Sequence, residues 1–362
     1  YLIFGGMLWN AGVTLGFLGI LAGNASGLEG LQMPVNVLPL LFFGFALVGL
    51  SLVQTNNRRT DEEMSPAQWF LFAATLWLPW VLGGSYLLIH FFNAKGEVAN
   101  IVDWWFIQNF AKIYLTFVGL GTLFHFLSAL SGRQLVGRGH AQLAFWLLLL
   151  FGSVGGVSPG APVPAWLPAL STVTAVFYFF GVVAAWVSLT RTISGASAAD
   201  DVDSLAYNLM RLAALVFISI SVVNVFFAFP GPGGTAEFTT YGPAMELLFN
   251  LGFVGLTLIA ALYHIFPRLA GMAFSPRMVV IQTAAIVFGL LGATLPTALG
   301  GLMSGDAVLG SGFYFASVGD VFLFVGSFIL FLNFLGATWF AIKNCDCLDV
   351  FFGKANTKEA NA

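Results

Sequence analysis

Ten stretches of this chain are each long and apolar enough to cross about 30 Å of hydrocarbon. They run roughly over 1–22, 36–54, 67–92, 104–131, 141–157, 164–190, 205–229, 242–267, 277–303 and 314–341. Inside a bilayer no water satisfies the backbone, so segments of this length fold as helices whose N–H and C=O groups bond within the segment. The expected fold class is therefore an all-α integral membrane protein with about ten transmembrane helices. One polytopic domain is expected over 1–341, with a short tail over 342–362. Composition points the same way: 59% of residues are hydrophobic and only 8% charged, with a mean hydropathy of +0.91. A soluble core of 362 residues has no use for so much apolar surface. The connections are short and hide no soluble domain. Membrane lipids are expected partners and nucleic acid is not. The chain opens on Tyr1, directly in apolar sequence, so no signal peptide is read and a missing upstream segment stays an open alternative.

Thirteen Lys and Arg residues orient the helices. Arg58 and Arg59 follow the second run, Arg133 and Arg138 the fourth, and Arg191 the sixth. Arg268 and Arg277 flank the turn after the eighth, Arg211 sits near the start of the seventh, and Lys343, Lys354 and Lys358 follow the tenth. Opposite loops hold only Lys95, and Lys112 lies inside a helix near that side. The expected orientation puts the basic loops and the C-terminus in the cytoplasm of a bacterium, with the chain in the inner membrane. Cys345 and Cys347, just past the tenth run, read as ordinary cytoplasmic thiols, because two thiols alone do not complete a zinc site. The outer segments "SPGAPVPAW" and "FPGPGGTAEF" are rich in Pro and Gly and read as tight turns, open to packing against another subunit.

Chemistry is sparse. His90, His125, His140 and His264 all fall near helix ends, and no two are spaced as a ligand pair. No nucleotide loop, nucleophile elbow or zinc-protease signature occurs. Intramembrane charge is limited to Lys112, Glu246 and Asp320, too few to suggest an ion pathway by themselves. Gln108 and Lys112 are four apart in "WWFIQNFAKIYLTF" and so share one helix face inside an apolar run.

The order of several motifs resembles the catalytic subunit I of cbb3-type cytochrome c oxidases, in the heme-copper oxidase superfamily near the nitric oxide reductases. "FGGMLW" is similar to that family's entry to helix III, and "LLIHFFN" keeps a His-x-x-Asn helix end at His90 and Asn93. "DWWFIQNFAKIYLT" resembles its Trp-Trp-Tyr-Gly-His-Asn helix, "AFWLLLLFG" its His-Phe-Trp helix, and "GAPVPAW" the turn that follows. "FTTYGPAMELLFNLGFVGLTLIAALYHIFPRL" runs along its long haem-ligand helix. The resemblance implies the arrangement of helices III to XII. It also implies that ligand and redox positions are vacated. The first copper histidine falls on Gln108, with Asn109 beside it as in the family. The adjacent histidine pair falls on Ser158 and Pro159, and the active-site tyrosine on Gly152. The His-x-His that ligates both haems falls on Met245 and Leu247.

From this follow a set of expectations. No catalytic, cofactor-binding or metal site is expected in this chain, and haem is expected in partner subunits. The leading function is a non-catalytic, oxidase-like subunit that anchors or organises a respiratory electron-transfer complex, with c-type cytochromes on the outer face against loops 158–166 and 230–241. The alternatives are a divergent oxidase or nitric oxide reductase subunit keeping one haem, and a transporter or channel with Lys112 and Glu246 in its pathway. Phe110, Met245, Leu247, Phe249 and Phe253 are expected to fill the emptied site. Lys112 is expected to pair with Glu246, or failing that with Gln108 or a backbone carbonyl. Snorkelling of its stem to the outer surface is the alternative.

Overall fold

Short local signals start and stop the helices. Ser65 caps the third helix: its Oγ accepts from the Gln68 N–H, the Gln68 side chain accepts from the Ser65 N–H, and Pro66 stands at the first helical position. The fourth helix starts after Gly96 and ends at Gly132, both at positive φ, where glycine is the least strained residue. The computed structural model describes all residues except 60–62, 133–134, 158, 194–200, 238, 271–273, 304–305 and 345–362. Cys345, Cys347, Lys354, Lys358 and Ser158 therefore lie outside the described residues.

The helices are α1 (Leu2–Leu21), α2 (Leu38–Asn57), α3 (Pro66–Phe91), α4 (Glu97–Ser131), α5 (Arg138–Gly152) and α6 (Trp166–Ile193). They continue as α7 (Asp201–Phe227), a short α8 (Pro230–Ala236), α9 (Tyr241–Leu269), α10 (Pro276–Leu302) and α11 (Asp306–Asn344). Among the described residues nine are long and apolar enough to cross a membrane, so the chain is a multi-pass membrane protein. The run expected over 141–157 differs. Its helix is the 15-residue α5, about 22 Å long at 1.5 Å per residue. Gly155 and Gly156 at φ +107° and +90° leave the helical region, so the rest of that run is irregular rather than helical. The outer segment 230–241 also differs: it holds α8, with Pro230 at its first position, where the missing N–H costs nothing.

The described helices gather in two compact units, Tyr1–Ala196 with Leu212–Phe238, and Ser197–Arg211 with Thr239–Ala362. In the first, α1 and α2 meet along small residues. A Cβ on Gly5 would fall 2.6 Å from the Gly44 carbonyl, so the two backbones touch. Phe70, Phe117, Phe124 and Phe145 form a buried aromatic box from α3, α4 and α5, with ring centroids 4.8 to 5.4 Å apart. At one end, Arg138 donates to Glu63 at 2.6 Å and to the Met64 carbonyl at 3.0 Å, so the loops after α2 and α4 share one side. At the other end the loop after α1 folds back onto the start of α4, where the Gly30 N–H donates to buried Asp103 at 3.1 Å. The Tyr86 hydroxyl donates to the Met33 carbonyl of the same loop at 2.8 Å. This alternation of ends is the one the apolar runs imply.

In the second unit, α10 and α11 pack through Gly289, Gly292, Gly319 and Gly326. Tyr263 of α9 is fully buried against Phe274 and Phe334, and its hydroxyl donates to Gln282 of α10 at 2.8 Å.

Candidate functional site

The site begins with Asn109 of α4, which is fully buried. Its Oδ1 accepts from Trp77 Nε1 of α3 at 3.0 Å, and its Nδ2 donates to the carbonyls of Trp105 at 2.8 Å and Ser153 at 3.2 Å. One amide thus ties α3, α4 and the end of α5 together. An apolar side chain there would strand the Trp77 N–H and the Ser153 carbonyl without water. Asn109→Leu is expected to destabilise the first unit by about 2 kcal/mol, read as a lower denaturation midpoint in detergent.

Immediately after Asn109, residues Phe110–Leu115 take a π-helical turn. Such a turn loosens the regular ladder and leaves carbonyls to be satisfied from outside it. Thr116 Oγ1 donates to the Ala111 carbonyl at 3.0 Å, and the Tyr178 hydroxyl of α6 donates to the Lys112 carbonyl at 3.1 Å. Thr116 and Tyr178 are themselves 3.1 Å apart. Lys112 Nζ lies 5.3 Å from the centre of the Tyr178 ring, within reach of a cation–π attraction of about 0.5–2 kcal/mol. Phe110 stacks between Phe106 and Tyr114, at centroid distances of 5.9 and 5.4 Å.

The segment after α5 closes on the same place. A Cβ at Gly152 would fall 2.7 Å from Ile113 Cδ1 and 3.0 Å from the Tyr178 ring. Gly156 comes so near α4 that its Cβ would be 2.7 Å from Gln108 Cβ. Its positive φ and this approach both demand glycine. The Val157 N–H donates to Ser171 Oγ at 3.1 Å, which pins the segment to α6. The structure therefore brings Gln108, Lys112, Gly152 and the approach to Pro159 together in the first unit. Pro159 packs against Gly233, and Gly160 against Glu237, so the described parts of the two outer loops lie on each other.

Met245, Glu246 and Leu247 belong to the second unit, on the last turn of α9 before a π-helical stretch, Leu248–Gly255. Met245 and Leu247 are half-buried, Glu246 is exposed, and Phe253 is fully buried beside Phe249. The histidines keep to helix ends. His90 stacks on Tyr86 at 5.6 Å, His125 is exposed, His140 lies near Gly137, and His264 Nδ1 is 2.9 Å from Asp203. Arg268 completes that cluster at 2.8 Å from Asp203 Oδ2. Tyr178, Thr116 and Gly156 escaped sequence reading. Thr116 stands four residues after Lys112, a usable signal; Tyr178 is 66 residues from Lys112 and carried none.

These donors do not fit a copper ion, which needs nitrogen or sulfur ligands in a defined geometry. Gln108 offers an amide and Pro159 no side-chain donor. Among the described residues no group of three or more His, Cys, Asp or Glu could hold a metal. A haem iron at 245–247 would find a thioether and an isobutyl group, and only the first is a ligand.

The sequence profile of the cytochrome c and quinol oxidase polypeptide I family matches residues 1–309, so the chain belongs to that family. A solved structure described as a heme-copper terminal oxidase dimer superposes with a TM-score of 0.70 at 12% identity, over 92% of this chain and 69% of that one. At that identity the likeness bears on the fold, which is that of heme-copper oxidase subunit I. No curated protein matches significantly.

Proposed function

We propose that this chain is a non-catalytic member of the oxidase family, of cbb3-like ancestry, that anchors or organises a membrane electron-transfer complex. The observation that carries this reading is the filled space at Gly152 and Gly156, where the Tyr178 ring and the Gln108 side chain stand against the backbone. With Gln108 as the described remnant of the copper ligands, metal-centred reduction of a small molecule has no support from this chain's own residues. The complex would sit in the bacterial cytoplasmic membrane with the basic loops and C-terminus inside. Its outer loops 158–166 and 230–241 would meet c-type cytochrome subunits, which supply the haem.

Quantifying haem and metals in the isolated chain tests this. Fewer than about 0.1 copper and 0.1 haem per copy are expected once partner subunits are removed, with the absorption spectrum of the intact complex accounted for by the partners. One haem per copy that survives separation and is lost in Met245→Leu would replace this reading with that of a divergent, haem-retaining oxidase subunit.

A further inference from the structure

The long helix α11 exposes two unlike faces. Gly319 packs against Gly289, Gly292 and Ala293 of α10, Gly326 packs against Ile286 and Gln282, and Ala316 is buried. One exposed face, with Val318, Val321, Phe322 and Val325, is wholly apolar, as a lipid-facing surface should be. The other carries Phe313, Ser317, Asp320, Phe324, Ser327 and Phe331, at alternating spacings of four and three, and all six are exposed. Every face of a helix repeats at that spacing, and what sets this one apart is its polar members, Ser317, Asp320 and Ser327.

Asp320 is the informative member. Asp320 lies 14 residues after Asp306 on α11, about 21 Å along the axis, and 23 residues before Lys343, with no charged residue between. Its stem is too short to reach the headgroups from that depth, unlike a lysine. Among the described residues it has neither a hydrogen bond nor an ion pair. Ser327, two turns deeper, exposes a second polar group on the same seam. Ionisable groups in a bilayer face a partner or a wet cavity, and polar side chains join membrane helices to one another.

We infer that this seam of α11 is the docking surface for a transmembrane helix of another subunit, one that presents a Lys, Arg or His at the depth of Asp320. The inference rests on the reading of the chain as part of a larger complex and names where that complex is joined. A second copy of α11 does not meet the requirement. Between Asp306 and Ile342 it has no basic residue, and a two-fold seam would bring two carboxylates together.

The test uses the full chain in its native membrane, with a benzophenone-bearing residue in place of Phe324 and, as control, of Phe322 on the apolar face. Illumination at 324 is expected to give an adduct with a membrane-spanning peptide of another subunit that has a basic residue within one turn of the attachment. Asp320→Leu is expected to lower its yield at least tenfold, while position 322 labels lipid alone. An adduct with this same polypeptide, with lipid only, or with a helix lacking a basic residue overturns the inference, as does a yield unchanged by Asp320→Leu. If Asp320→Leu does not fold by size exclusion, the peptide captured by the chain with Asp320 intact decides. A native mass well above that of one chain together with lipid-only labelling at 324 would sink this seam and leave the assembly reading standing. A native mass of one chain alone would remove that reading.

Discussion

Gly152→Tyr, which forces a second ring into the space that the Tyr178 ring already fills, is expected to cost at least about 3 kcal/mol and to leave little folded protein. A Cβ at 152 already falls 2.7 Å from Ile113 Cδ1 and 3.0 Å from the Tyr178 ring. The ring cannot swing away without releasing the bonds its hydroxyl makes to Thr116 and to the Lys112 carbonyl, which the π-helical turn leaves in need of a donor. Gly152→Ala, whose methyl meets the mobile tip of Ile113, is expected to cost about 1–2 kcal/mol. Gly152→Tyr combined with Tyr178→Ala should recover at least about 1 kcal/mol relative to the sum of the single changes, because the two rings compete for one space. Denaturation midpoints in detergent measure all four proteins. Additive costs would mean that Tyr178 is not what excludes a side chain at 152.

Lys112 and Tyr178 give the second large expectation. Lys112 sits inside a membrane helix of the first unit, half-buried, with the Tyr178 ring at 5.3 Å. A ring quadrupole attracts an ammonium, and more strongly where water is excluded. Lys112→Met and Tyr178→Leu are therefore expected to be coupled by about 0.5–2 kcal/mol in a double-mutant cycle read from denaturation midpoints in detergent. The bond from the Tyr178 hydroxyl to the Lys112 carbonyl cancels from that cycle, because Lys112→Met keeps the carbonyl. Coupling near zero would mean that the ring does not hold the ammonium.

The membrane helices were legible because hydropathy is a property of consecutive residues. Among the described residues nine of the ten apolar runs are helices long enough to cross, and the exception, α5, ends at Gly152, shortly before two glycines at positive φ. The sharing of one side by the loops after α2 and α4 was legible too, since each helix reverses the direction of the chain. The π-helical turns were not. They depend on which neighbour offers a donor to a loosened carbonyl, as Tyr178 does for Lys112 from 66 residues away. Asn109 was noticed only for standing beside Gln108; its three partners on α3, α4 and the end of α5 are a fact of packing.

The sequence by itself determined that the chain must be a bundle of membrane helices and that Gln108, Lys112, Glu246 and Asp320 stand within apolar runs. Those conclusions need only the solvent and the polarity of each residue along the chain. Tertiary structure alone decided that the space at Gly152 is closed by a ring from α6, that Gly156 rests on Gln108, and that Asp320 is exposed, away from the packed side of α11. The physical reason is range. Hydropathy and periodicity act along the chain, whereas the filling of a cavity depends on steric fit between side chains that meet only when the helices pack.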